Sequence, residues 1–137
     1  MDGCIFCSIV AGGAPAHTIY SDNDTIAFMD INPATDGHAL VIPRTHVRDL
    51  WEIDEDEAAR VMAATVRVAA QIRRALEPDG MNVLHATGSA AFQTVYHFHL
   101  HVIPRYFNDP IKLPWVPRPG DRTKIAQMAE KIVAAAG

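Results

Sequence analysis

Tyr96-His97-Phe98-His99-Leu100-His101-Val102-Ile103-Pro104 decides how this chain is read. Side chains on a β-strand alternate between its two faces. In an extended conformation His97, His99 and His101 therefore share one face, and Phe98, Leu100 and Val102 share the other. An apolar face backed by three imidazoles fits a strand with one side in a core and the other in a site. Imidazole changes charge near neutral pH and is a common metal ligand, so the second face points to chemistry. Three uses are open: a solvated strand edge, a metal site, or covalent catalysis with a neutral imidazole as nucleophile. Same-face neighbours are roughly 6.6–6.8 Å apart along a strand, so two of the three can reach one ion. The outer pair, about 13 Å apart, cannot easily converge on it.

The rest of the chain frames this strand. At 137 residues it fits one domain with a proper core. A net charge of -4 argues against a surface for the nucleic-acid backbone and leaves room for a small nucleotide. Met1-Asp2-Gly3-Cys4 carries no basic leader and no apolar run reaches membrane-span length, so cytoplasmic residence is expected.

Ile5, Phe6, Ile9 and Val10 are spaced for a helix over residues 4–11, stopped by Gly12-Gly13. His17 to Tyr20 and Thr25 to Asp30 read as a hairpin about Ser21-Asp22-Asn23-Asp24, and His38 to Ile42 as a third strand closed by Pro43. From Ile53 to Leu76 an apolar stripe (Ala58, Val61, Met62, Thr65, Val68, Ala69, Ile72, Leu76) predicts a long helix, with Asp54 and Glu57 set for its N-terminus. Met81 to Thr87 and Val95 to Pro104 complete five strands. Residues 107–120 hold four prolines and read as an arm, followed by a helix over Asp121 to Ala136. This order predicts an α+β domain with a mostly antiparallel sheet.

Between the last two strands, Gly88-Ser89-Ala90-Ala91-Phe92-Gln93-Thr94 is a small-residue loop. Its amides, with the side chains of Gln93 and Thr94, are expected to cradle an anion at the mouth of the histidine face. That favours the covalent reading. Cys4-Ile5-Phe6-Cys7 is open to three readings: a redox pair, half a zinc site, or two buried thiols. The βαβ context of a thioredoxin-like site is missing, so redox chemistry is the weakest.

His97-Phe98-His99-Leu100-His101-Val102-Ile103 resembles the motif of the histidine-triad (HIT) superfamily. The likeness covers about residues 4–106 and includes Ala27 to Ile31, Gly37 to Pro43 and Gln93 to Tyr96, leaving 107–137 as C-terminal arm and helix. Within that superfamily the chain looks like the Hint-like, bacterial-type branch. The resemblance implies a homodimer with paired sheets, acting on the α-phosphate of purine nucleoside phosphoramidates or related nucleotidyl conjugates.

The resemblance assigns His99 as the nucleophile, His101 as the group polarising the phosphate, and His38 as an orienting residue. It gives Asp30 to the ribose hydroxyls and Phe6, Ile9, Phe28 and Ile31 to a loose purine slot. It also implies structural zinc on Cys4, Cys7, His46 and His97. Diadenosine polyphosphate hydrolysis is an alternative, as is a nucleotide-binding regulatory module with little turnover. Sugar-1-phosphate nucleotidyl transfer is less favoured, because that branch has Gln where His101 stands.

Two positions depart from the pattern. Ala86 replaces a usual Asn, and Phe92 stands where Gly is frequent and is expected to narrow the phosphate loop. By alternation His85 should point away from the triad. Trp115, in the arm, is expected either to anchor the arm on its own domain or to reach a partner's site.

Overall fold

Alternation along the third strand places two cores on opposite faces of one sheet. The computed structural model describes residues 3–137, so Met1 and Asp2, on which the leader reading partly rests, lie outside it. Helix α1 spans Ile5–Val10, followed by β1 (Thr18–Ser21), β2 (Thr25–Met29) and β3 (Ala39–Pro43). Then come α2 (Glu55–Leu76), β4 (Gly80–Leu84), β5 (Leu100–Arg105) and α3 (Arg122–Ala134). The sheet order is β1-β2-β3-β5-β4, with every neighbouring pair antiparallel. This is the expected α+β architecture with five strands.

On one face Ala27, Ala39, Val41, Phe98 and Val102 pack against Val61, Ala64, Val68 and Ile72 of α2. On the other, Ile26, Phe28, Leu40 and Ile42 pack with Phe6 of α1. Asp54 caps α2 by accepting the Glu57 amide at 2.7 Å, and acidic residues fill its first turn, where the helix dipole favours them. Met62 and Leu76 of the predicted stripe are nearly half-exposed, and Ala64 takes a core place instead. Among the described residues, no helix is long and apolar enough to cross a membrane.

Three differences from expectation bear on function. First, β5 begins at Leu100, so His97 and His99 precede the ladder. Pairing of β3 with β5 runs Ala39↔Val102, Leu40↔His101, Val41↔Leu100. Two positions further on stands Pro43, which has no N–H to continue it. The Phe98 amide donates to the Val47 carbonyl instead, and alternation survives: Phe98 faces α2 while His97 and His99 lie edge-on to Phe6. Second, β4 stops at Leu84 instead of Thr87, because the side chains of His85 and Thr87 bind the loop at Leu50. Third, the chain from Lys112 to Gly137 is exposed throughout, and no residue of α3 is buried. Trp115 is exposed too and does not anchor the arm on its own domain.

Candidate active site and metal centre

Between α1 and the sheet lies a cavity of about 510 Å³. Phe6 and Ile9 from α1 with Phe28 and Leu40 from the sheet form its apolar walls, and Asp30, Ile31, Asn32 and Thr94 lie around it. His99 and His101 line it as well. Every residue expected in the base slot is therefore in one place. Leu40, Asn32 and Val95 join them. Leu40 was legible only once the pairing of β2 with β3 was known.

The hydrogen bonds assign a tautomer to each imidazole. A carbonyl can only accept, so His99 Nδ1, 2.7 Å from the His97 carbonyl, carries a proton. The other nitrogen, Nε2, then presents a lone pair, as a nucleophile requires. His38 Nδ1 accepts the Ala34 amide at 2.9 Å, so its Nε2 carries the proton and donates to His101 Nδ1, also at 2.9 Å. His101 is left with its proton on Nε2, able to donate to a phosphate oxygen or a leaving group. Asp30 stands behind this pair, with Oδ2 3.4 Å from His38 Nε2, while its Oδ1 accepts the Asn32 amide. His38 thus bonds His101, which lines the cavity, and does not line it itself.

Burial disfavours the charged form of these rings. It lowers the pKa of His38 and His99 below the usual histidine value, in both cases against an opposing pull from Asp30. His101 is pushed down to about 4, by burial first and then by His99 and His38.

Gln93 and the loop differ from expectation. The Gln93 side chain is buried, with Oε1 accepting the Gly88 amide and Nε2 donating to the carbonyls of Arg48 and Val95. It has no donor left for a substrate and does not line the cavity; it braces the loop. The amides of Ala91, Phe92 and Gln93 are also occupied inside the loop. Only Thr94 of the expected pair borders the cavity. Phe92 points outward, 86% exposed, and narrows nothing. Its φ of 69° lies in the left-handed region, which accounts for glycine at such a position.

Cys4, Cys7, His46 and His97 form a second cluster, with all four ligand atoms within 4.8 Å of one another. His97 Nε2 donates to the Pro43 carbonyl at 2.8 Å, which leaves the Nδ1 lone pair facing the sulfurs. Nδ1 is 3.5 Å from Cys4 Sγ and from Cys7 Sγ, and His46 Nδ1 is 3.3 Å from Cys7 Sγ. With Zn–S of about 2.3 Å and Zn–N of about 2.0 Å, the S···N edge of a tetrahedron is about 3.5 Å. The donor set and spacing fit zinc. Asp30, His38 and His101 also cluster within that distance, yet they fit a metal poorly. There the Ala34 amide holds His38 in the tautomer whose Nε2 is protonated.

Known proteins share this fold. The HIT domain family model matches residues 11–108. The chain is 43% identical over 105 residues to Protein hit of Bacillus subtilis, covering 77% of this chain and 72% of that one. A crystal structure of a HIT family member from Bacillus subtilis superposes with a TM-score of 0.92 at 34% identity, covering 99% of both chains. A zinc-bound histidine triad family protein from Mycobacterium smegmatis superposes with a TM-score of 0.77 at 40% identity, covering 96% of this chain and 97% of that one.

Proposed function

This chain belongs to the HIT domain family, and from that premise we propose that it is a hydrolase of purine nucleoside phosphoramidates or related nucleotidyl conjugates, acting through a covalent intermediate on His99. The observation that carries the reading is the tautomer of His99, whose free Nε2 lone pair borders a nucleotide-sized apolar cavity. That lone pair attacks the α-phosphorus as the bond to the leaving amine breaks. His101 Nε2–H hydrogen-bonds a phosphate oxygen and keeps its proton, while the leaving amine takes its proton from a water, whose hydroxide accepts the proton released in the hydrolytic step. Water then displaces His99 from phosphorus, releasing the nucleoside monophosphate and the free imidazole. Phe6, Ile9, Phe28 and Ile31 grip the base by apolar contact, so purine selectivity is loose, and Asp30 accepts from the ribose. Hydrolysis of adenosine 5′-phosphoramidate by the parent but not by His99→Ala tests this. Turnover by the variant at the parent rate would overturn it.

Zinc held by Cys4, Cys7, His46 and His97 supplies a structural cross-link in this reading, tying α1 and its cavity residues Phe6 and Ile9 to the histidine segment. The chain works as a homodimer, supported by three exposed apolar features. These are the edge strand β4 with Val83 and Leu84, the half-exposed Met62 and Val66 on α2, and the apolar stripe Ile125, Met128 and Ile132 of α3. Sedimentation at twice the 15.0 kDa chain mass is the expected result. Two cysteines outside any disulfide fit a reducing, cytoplasmic setting.

A further inference from the structure

The carbonyl of His99 lies just before the ladder of β5 and takes a hydrogen bond from a side chain: His85 Nδ1 stands 3.1 Å away. The carbonyl only accepts, so His85 Nδ1 carries a proton and its Nε2 presents a lone pair. That lone pair meets the Thr87 hydroxyl at 2.5 Å and the Leu50 amide at 3.2 Å. The Leu50 amide is also 3.0 Å from Thr87 Oγ1. The donors and acceptors balance. The Leu50 N–H is shared between two acceptors, Thr87 O–H donates to His85 Nε2, and His85 Nδ1–H donates to the His99 carbonyl. The His85 ring also stacks on buried Phe98, with centroids 4.5 Å apart and planes 25° apart. Plane, tautomer and direction of the ring are all set.

We propose that His85 is a positioning residue for the histidine nucleophile. The inference rests on the reading of His99 as that nucleophile. His99 is held at two points, its ring through Nδ1–H to the His97 carbonyl and its backbone through its own carbonyl to His85. No strand ladder fixes this backbone, since β4 has ended at Leu84 and β5 begins at Leu100. His85 supplies the missing constraint from the α2 side of the sheet, outside the cavity. Its loss therefore acts on the aim of Nε2 and leaves the nucleotide contacts in place. Displacing a reacting atom by about 1 Å costs on the order of a hundredfold in rate.

Steady-state hydrolysis of adenosine 5′-phosphoramidate by the full chain, with adenosine monophosphate affinity measured beside it, provides the test. His85→Leu is expected to lower kcat roughly ten- to a hundredfold, with affinity held within about twofold. His85→Gln restores most of the loss, because its amide N–H can donate to the His99 carbonyl and its oxygen can accept from Leu50. Thr87→Val, which removes only the hydroxyl, falls between. Parent kcat in His85→Leu, or equal losses in the Leu and Gln variants, would overturn the proposal. Nitrogen-15 spectra of the imidazoles read the same effect without turnover: the parent and His85→Gln show one His99 tautomer, and His85→Leu a broadened or mixed signal. If no turnover depends on His99, the hydrolase reading fails. An unchanged His99 signal in His85→Leu would then overturn the positioning role separately.

Discussion

Lowering the pH from 7.5 to 5.0 should destabilise the fold, through His101 in particular. An unfolded histidine titrates near 6.5, whereas His101 in the fold is pushed down to about 4 by burial and by its histidine neighbours. Between these values the unfolded chain binds a proton that the folded chain refuses. Stability is thus fully present above about pH 6.5 and is lost progressively down to about pH 4. At pH 5.0 linkage puts the loss from this residue at about 2 kcal/mol, a large share of a stability of about 5–15 kcal/mol. His38 and His99 are lowered in the same sense and add to the fall. Asp49 and Asp109, lowered by Arg48 and Arg105, act mainly below pH 4. Urea unfolding at the two pH values, on the parent and on His101→Gln, isolates the effect. Any acid release of metal is common to both chains and cancels. The parent should lose about 2 kcal/mol more than the variant. Equal losses would show that His101 is not held neutral by its surroundings.

Other perturbations have equally definite outcomes. Cys7→Ser should abolish a stoichiometric zinc signal in elemental analysis and lower Tm by several degrees, whereas zinc-free parent protein purified without chelator would refute the metal centre. Gly37→Ala should cost about 2 kcal/mol in urea unfolding. The residue has φ +93°, and an added Cβ would meet buried Pro104 at 3.1 Å, although the nearer and half-exposed Leu76 can yield. Phe92→Gly should raise stability by about 0.5–1 kcal/mol, because relief of a left-handed backbone outweighs the added chain entropy and the exposed ring loses little burial.

The sequence held more of the fold and of the residue set than of the wiring between residues. The 3.6-residue stripe of α2 and the alternation about the three histidines were legible because burial periodicity is a local property of the chain, whereas the uniformly apolar Ala39 to Ile42 did not reveal that β3 serves two cores. Cys4, Cys7, His46 and His97 are brought together, as are the cavity residues. Gln93 went astray because an amide can face a substrate or brace a loop, and only the position of the Arg48 carbonyl decides between them. His85 was read by alternation as facing away from the triad, and its ring does lie on the Phe98 side. Alternation says nothing of a side chain that reaches round to a neighbour's carbonyl. The arm was legible from its four prolines, but the full exposure of α3 was not, since an apolar stripe on a helix does not say what it packs on.

His97 joins the two centres, and substitutions can separate its roles. Its Nδ1 faces the sulfurs, its Nε2–H is tied to the Pro43 carbonyl, and its own carbonyl accepts the hydrogen bond from His99 Nδ1–H that leaves His99 Nε2 bare. Cys7→Ser removes one sulfur of the Cys/His cluster and leaves the second and third of these intact. His97→Ala removes the ring from that cluster and the Pro43 tether together, and so frees the carbonyl that sets the tautomer of His99. Both variants should weaken nucleoside monophosphate binding alike, because both loosen α1 with Phe6 and Ile9. His97→Ala should in addition lower kcat for adenosine 5′-phosphoramidate roughly tenfold below Cys7→Ser, since it disturbs the reacting atom as well as the slot. Equal kcat values in the two variants would mean that the His97 backbone keeps its place without its ring, and that the metal centre and the nucleophile are neighbours without being coupled.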